Sequence, residues 1–137
     1  MKKSGKLLDA YAEELAIADC SFQMMGRLLD REYIKGRLSF LNDDGLYIYG
    51  GGYLGIQLYR ACDKLVRVLS VVDKKGCLVL DLPDIPVINL DGLRKAYKGE
   101  KIIIASVRYY REIQKDLLPF VPEDKILFIG EFLGGIL

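Results

Sequence analysis

Histidine is absent from the 137-residue chain. This absence removes the side chain that most often serves as a general base near neutral pH and that most often ligates metals. Hydrolases built on a histidine-containing triad and zinc enzymes are therefore poor hypotheses for its function. We expect a protein that has no metal site and no catalytic activity of its own.

Cysteine is also scarce, and its three residues, Cys20, Cys62 and Cys77, are spread along the chain. Their number is odd, and no two of them form the close pairs of a zinc or redox motif. This pattern indicates reduced cysteines that serve in packing, as is typical of a cytoplasmic protein.

Long apolar runs and clusters of like charge are missing. No apolar stretch approaches the ~18 residues of a membrane span. Asp9, Glu13 and Glu14 interrupt the region where a signal peptide would be apolar. The 20 basic and 19 acidic residues are mixed along the sequence. We therefore expect a cytoplasmic protein whose partners include neither nucleic acid nor a membrane.

The amino-terminal part of the chain has a helical pattern over residues 4–41, which a break at Asp19–Ser21 or at Gly26 would divide. Apolar residues recur in it at steps of three and four: Leu7, Tyr11, Leu15, Ala18, Phe22, Met25 and Leu29. Turn-forming residues follow at 42–45. We predict a helical extension over residues 1–44. Its stripe ordinarily packs on a core; the alternatives are a homodimer seam or a docking face for a catalytic domain.

From residue 45 to 137, short apolar runs alternate with amphipathic segments, which predicts a Rossmann-like α/β domain with helices on both faces of a parallel sheet. Right-handed crossovers favour a five-stranded sheet in the order 3-2-1-4-5. The predicted strands are Leu46–Tyr49, Arg67–Val72, Val87–Ile88, Lys101–Ala105 and Lys125–Ile129. The predicted helices are Tyr53–Asp63, Leu90–Tyr97 and Val107–Leu118.

A glycine-rich turn joins the first predicted strand to its helix and matches G-x-G-x-x-G at residues 50–55. In this pattern the first glycine permits a tight turn, the second lets a pyrophosphate approach the backbone, and the third lets the helix pack closely on the sheet. The helix amino terminus then faces the anion. The predicted ligand contacts of this turn are Gly50, Gly51, Gly52, Tyr53 and Gly55. The alternative is a tight turn without a ligand.

Polar residues follow two other predicted strands. Asp73, at the end of the second strand, is placed to accept hydrogen bonds from a ribose diol, although a solvated loop acid would look the same. Ser106, after the fourth strand, either caps the next helix or faces the ligand. Arg108 lies in the predicted first turn of that helix, where it would meet a phosphate or serve an ordinary surface role.

The segments LYIYGGGYLGIQLY, VLSVVDKKG and KIIIASVRYYREIQKDL resemble the small Rossmann-like domains of bacterial glycan biosynthesis proteins. The likeness covers about residues 46–130. Similar domains precede the catalytic part of FkbM-type methyltransferases and form the amino-terminal domains of PglD/NeuD-like acetyltransferases and CapD-like dehydratases. The resemblance implies a nucleotide, nucleotide sugar or dinucleotide as ligand, with Gly50, Gly51 and Gly52 at its phosphates and Asp73 near its ribose or base.

Two departures from this pattern bear on function. Gly51 stands where the relatives usually have Ala or Ser, and the sequence ends at Leu137, before any catalytic domain of these families would begin. We therefore expect a nucleotide or nucleotide-sugar binding module that serves glycan biosynthesis, either on its own or as part of a longer sugar-modifying enzyme such as a methyltransferase, and that holds its ligand without transforming it. The alternatives are an NAD(P)-dependent oxidoreductase, with NAD favoured by Asp73 or NADP by Lys74 and Lys75, and an assembly domain with a vacant turn.

Overall fold

The structure is a computed structural model that describes residues 2–39, 45–50, 52–74 and 84–135. The side chain of Leu7 and the residues Gly51 and Cys77 lie outside what it describes, so the predictions made for them stay predictions. None of the described helices is long and apolar enough to cross a membrane.

A five-stranded parallel sheet forms the centre of the fold, and its strand order, β3-β2-β1-β4-β5, confirms the predicted one. The strands run β1 Leu46–Tyr49, β2 Val68–Val72, β3 Val87–Ile88, β4 Lys101–Ile104 and β5 Ile126–Phe128. Because β1 is central, the chain moves outward from it in one direction through β2 and β3 and in the other through β4 and β5. The order therefore reverses between β1 and β4.

Helices cover both faces of the sheet, as the Rossmann-like prediction required. They are α1 Lys2–Leu28, α2 Arg31–Leu38, α3 Tyr53–Cys62, α4 Leu90–Ala96, α5 Tyr110–Leu117 and α6 Ile129–Phe132, with a short 3₁₀ helix at Glu123–Lys125. Side chains alternate along a strand, so each strand contributes to two cores. Ile48 and Ile103 pack towards α1, α2 and α3, whereas Tyr49 and Ile104 pack towards α4 and α5.

The division between the first two helices differs from both predicted positions. The break falls at Leu29 and Asp30, where the Asp30 carboxylate caps α2 by accepting a 3.1 Å hydrogen bond from the backbone N–H of Tyr33. Gly26 lies within α1, which shows that one glycine is tolerated in a helix interior that is otherwise well formed.

The face of α1 that packs on the sheet also differs from the predicted one. The face that packs on the sheet consists of Cys20, Met24 and Leu28. Most of the predicted stripe is exposed instead, with Met25 only partly buried. The two faces carry apolar residues at similar spacing, so the pattern of three- and four-residue steps does not by itself identify the buried one.

Polar contacts tie the helical extension to the end of the chain. The Arg37 Nε donates a 2.6 Å hydrogen bond to the carbonyl oxygen of Phe132, and the Tyr33 hydroxyl donates one of 2.7 Å to that of Leu133. Arg27 also donates to the Leu133 carbonyl. These donors satisfy carbonyl groups that the end of α6 leaves without intrahelical partners. The extension and the sheet therefore share one core and one polar junction.

Candidate functional site

A cavity of about 460 Å³ opens at the carboxyl ends of β1, β2 and β4. This is where the strand order reverses, the position at which open parallel sheets bind ligands. Its volume is in the range of small-molecule sites. The lining residues come from the three strand ends and from α5: Tyr49, Gly50, Gly52, Asp73, Lys74, Ala105, Ser106, Tyr109, Glu112, Ile113 and Asp116.

Backbone pairing continues past the strands and fixes the rim of the cavity. The Gly50 N–H donates a 2.7 Å hydrogen bond to the carbonyl of Val72, and the Ala105 N–H donates one of 2.8 Å to that of Tyr49. The Asp73 N–H donates one of 2.9 Å to the carbonyl of Ile88. The residues that follow each strand are therefore held in place by the sheet rather than by a loop.

Two glycines of the turn are required by close approach of the backbone. Gly50 has φ +140°, a conformation that side chains rarely allow, and a Cβ there would lie 2.8 Å from the carbonyl oxygen of Ala105. A Cβ at Gly55 would lie 1.8 Å from the carbonyl oxygen of Gly50. Only glycine at position 55 lets α3 come this close to the end of β1.

Gly52 is different, because its backbone is not strained and it has free space around it. Its φ is −83°, in the extended region, and no atom lies within 4 Å of the position that a Cβ would take. It is the N-cap of α3 and lines the cavity. The unpaired N–H groups of the first turn of α3 begin here, so this end of the cavity carries partial positive charge.

The rest of the polar lining is predominantly acidic. Asp73 and Lys74 follow β2, and Glu112 and Asp116 are one helical turn apart on α5. Three carboxylates therefore share the cavity with one ammonium group. In the part of the chain that the structure describes, no cluster of acidic, cysteine or histidine residues could hold a metal ion.

Tyr49, the last residue of β1, lines the cavity and carries a buried hydroxyl group without a partner among the described residues. The residue is 2% exposed, and within the described residues its hydroxyl oxygen is the buried side-chain polar atom that has no hydrogen bond. Burial, together with the negative charges of Asp116 and Asp73, raises the pKa of Tyr49 to about 12. The phenol therefore stays protonated at neutral pH, as a donor rather than a base.

The segment between β4 and α5 carries two predicted site residues, Ser106 and Arg108, and only Ser106 lines the cavity. The Ser106 hydroxyl accepts a 3.1 Å hydrogen bond from the Tyr109 N–H, and both residues line the cavity. This turn delays the start of α5 to Tyr110, three residues after the predicted start. Arg108, between them, contacts both carboxylate oxygens of Glu14 on α1. That ion pair joins α1 to the segment that lines the cavity.

Several predicted residues thus come together in the cavity: Gly50, Gly52, Asp73 and Ser106. Gly55 lies behind the turn in a packing position. Tyr53 is exposed at the start of α3 and, like Arg108, is not among the lining residues. The predicted ligand contacts did not include Tyr49 or the acidic pair on α5, and Lys74 entered only the NADP alternative. The pair had a readable signal, since acids four residues apart lie on one face of a helix.

Comparisons with protein-family models, curated proteins and solved structures find no match for this chain.

Proposed function

We propose that this protein binds a nucleotide-type small molecule in the cavity and holds it without transforming it. The observation that carries the proposal is Tyr49, which lines the cavity and whose buried hydroxyl group lacks a hydrogen-bond partner among the described residues. Such a group costs free energy unless something satisfies it. A ligand that accepts a hydrogen bond at this point supplies the missing partner.

The charge distribution supports one orientation of the ligand. A phosphate group fits the end formed by Gly52 and the amino terminus of α3, because the space around the Cβ position of Gly52 is open and a helix amino terminus favours an anion. Lys74 adds a positive charge on the same lining. The neighbouring carboxylate of Asp73 then accepts hydrogen bonds from ribose hydroxyl groups.

The acidic residues of α5 favour a ligand rich in hydroxyl groups beyond the ribose. Glu112 and Asp116 can only accept hydrogen bonds when ionised, so the part of the ligand near them must donate. A sugar joined through a diphosphate meets this demand, and so does the second ribose of NAD, which carries the same number of phosphates. The additional 2′-phosphate of NADP does not meet it. This supports a nucleotide sugar or NAD ahead of NADP, and the resemblance to domains of glycan biosynthesis proteins favours the nucleotide sugar.

The excess of carboxylates supports a second candidate, a nucleoside that carries a positive charge. The three carboxylates outnumber the one ammonium group, and this excess of negative charge attracts a sulfonium or amino group. S-adenosylmethionine has this chemistry and carries a ribose for Asp73. It therefore belongs in any test beside the nucleotide sugars.

A ligand panel tests the proposal. UDP-sugars, CDP-sugars, NAD, NADP, coenzyme A and S-adenosylmethionine are added separately at millimolar concentration, and thermal unfolding is followed. A ligand at 100 times its dissociation constant stabilises the folded state by ~2.7 kcal/mol. We expect stabilisation by a nucleotide sugar, with S-adenosylmethionine as the second candidate. No shift with any ligand of the panel would contradict the proposal and favour an assembly domain.

A further inference from the structure

Helix α1 exposes a row of large apolar side chains on the side away from its own core. Phe22 and Leu29 are each 81% exposed, Tyr11 65% and Leu15 53%. Ala18 is also exposed, and Met25 is partly buried at the edge. We name these residues the outer seam: Tyr11, Leu15, Ala18, Phe22, Met25 and Leu29.

The spacing of the outer seam is that of a coiled coil. Successive members are four, three, four, three and four residues apart, a strict repeat of seven over nearly three heptads. The face that packs on the sheet, Cys20, Met24 and Leu28, is separate from it. Helix α1 therefore has one apolar face for its own domain and a second one shaped to receive another helix.

The first half of α1 has almost no cover from its own domain. Every residue from 9 to 16 is exposed, on all sides of the helix. The ion pair between Glu14 and Arg108 joins this half to the rest of the domain. Helical segments of this length are marginal in water without packing. This half of the helix therefore needs a partner surface.

We propose that the outer seam pairs with the outer seam of a second copy of this chain in an antiparallel coiled coil. The first half of each α1 then packs on the second half of the other. In this register Tyr11 lies opposite Phe22 of the second copy and Leu15 lies opposite Ala18, whereas Met25 and Leu29 extend beyond the paired part of the seam. One pair thus joins two aromatic side chains and the other joins a large side chain to a small one. Each pair occurs twice because of the twofold symmetry.

Charge favours this orientation and register. The residues that flank the seam are Ala12, Glu14, Asp19, Ser21 and Gly26. A parallel pair would set Glu14 beside Asp19 of the second copy. An antiparallel pair shifted by one heptad would set the Asp19 residues of the two copies beside each other. Both arrangements place like charges together. The proposed register sets Asp19 beside Ala12 and Glu14 beside Ser21, with no like-charge pair.

The exposed area is sufficient for a dimer of modest strength. From the sizes of these side chains, the four seam residues that pair in this register, Tyr11, Leu15, Ala18 and Phe22, expose on the order of 450 Å² per chain, so that pairing removes about 900 Å² from water. This lies at the low end of protein interfaces, where weak and transient pairs fall. An apolar patch of this size matches the largest one on a typical monomer, which often marks an interaction site.

Sedimentation velocity and light scattering test the pairing. The chain mass is 15.5 kDa, and we expect twice that mass at ~100 µM, within the range where modest interfaces associate. Phe22→Lys should give monomers, because it places an ammonium group opposite Tyr11 at two symmetric positions. Ala16→Lys, which adds the same charge to an exposed position off the seam, should leave the dimer intact.

Circular dichroism and the ligand panel identify the reason for any change. Phe22→Lys is expected to keep the folded spectrum, and any ligand-induced shift, because it lies far along α1 from the cavity lining. A monomeric wild-type chain at this concentration, or a Phe22→Lys variant that stays dimeric, would overturn the proposal. Neither result would bear on ligand binding.

Cysteine cross-linking tests the orientation. Tyr11→Cys and Phe22→Cys chains should form a disulfide when they are mixed, and neither should do so alone, because 11 helical positions separate identical sites by about 16 Å. A disulfide requires Cα atoms within about 7 Å. The wild type controls for its native cysteines. Cross-linking of Tyr11→Cys with itself would show a parallel pair and overturn the antiparallel arrangement.

Discussion

Replacing Tyr49 by phenylalanine should have opposite effects on the ligand-free protein and on its complex. Tyr49 lines the cavity, and its buried hydroxyl has no hydrogen-bond partner among the described residues. A buried group of this kind costs ~1 to 3 kcal/mol of stability. Removing one oxygen atom leaves only a small void, which cancels part of the gain. We therefore expect the ligand-free variant to be more stable than the wild type by about 1 kcal/mol.

Ligand affinity should move in the other direction. If the Tyr49 hydroxyl donates to the ligand, its removal costs about 1 kcal/mol of binding free energy, which is roughly a fivefold rise in Kd. Since burial raises the pKa of Tyr49 to about 12, the group is a protonated donor throughout the neutral range. The ratio of the two Kd values, for Tyr49→Phe and for the wild type, should therefore stay constant between about pH 6 and about pH 9.

Urea unfolding and titration calorimetry measure the two effects. Tyr47→Phe is the matched control, because Tyr47 lies on the same face of β1, two residues earlier, and does not line the cavity. It should leave the affinity unchanged. The reasoning is refuted if Tyr49→Phe destabilises the ligand-free protein by ~1 kcal/mol or more, as loss of a made hydrogen bond would. Unchanged affinity would show that the ligand does not contact this group.

Three further changes test the surrounding structure. Gly55→Ala should destabilise the protein by ~1 to 3 kcal/mol, because its Cβ would lie 1.8 Å from a carbonyl oxygen. Gly36→Ala should instead stabilise it by about 0.5 kcal/mol or more, because this helical glycine has open space around its Cβ position. Urea unfolding measures both changes. The hydrogen bond from Arg108 lowers the pKa of Glu14. The pair should therefore stabilise the folded state at neutral pH, and this contribution should be lost as the pH falls through the range where Glu14 protonates. Glu14→Gln should remove this pH dependence of the unfolding free energy. Burial raises the pKa of Cys62 to about 12, so its thiol should resist alkylation at pH ~8 until the protein unfolds.

The strands could be predicted closely from the sequence because each is a short apolar run bounded by turn residues. Val68–Val72 and Lys101–Ile104 are apolar on both faces, which only a sheet covered on both sides explains. The strand order followed from right-handed crossovers together with the Rossmann-like succession of strands and helices. What escaped prediction was local: the start of α5 depends on the turn made by Ser106, and the sequence equally permits a helix from Val107.

The candidate site was predictable where backbone geometry demands a particular residue and less so elsewhere. Gly50 and Gly55 are required by close backbone contacts, and the glycine pattern of the sequence indicates both positions. Tyr49 was hidden, because a tyrosine at the end of a buried strand is ordinarily a packing residue and only the structure reveals its unpartnered hydroxyl. The buried face of α1 was likewise hidden, since two apolar faces share one helix and pattern alone does not rank them.

The affinity of Gly52→Val for the ligand found in the panel tests the binding site most directly. Gly52 has an extended backbone and open space around its Cβ position, so valine fits without strain and its branched side chain fills the volume assigned to the phosphate. Loss of the N-cap glycine should cost no more than about 1 kcal/mol of stability, and Gly52→Ala gives the smaller steric step. We predict a folded Gly52→Val protein whose Kd rises at least about tenfold, ~1.4 kcal/mol, with Gly52→Ala in between. A folded variant that binds with unchanged affinity would contradict the placement of the ligand at this turn.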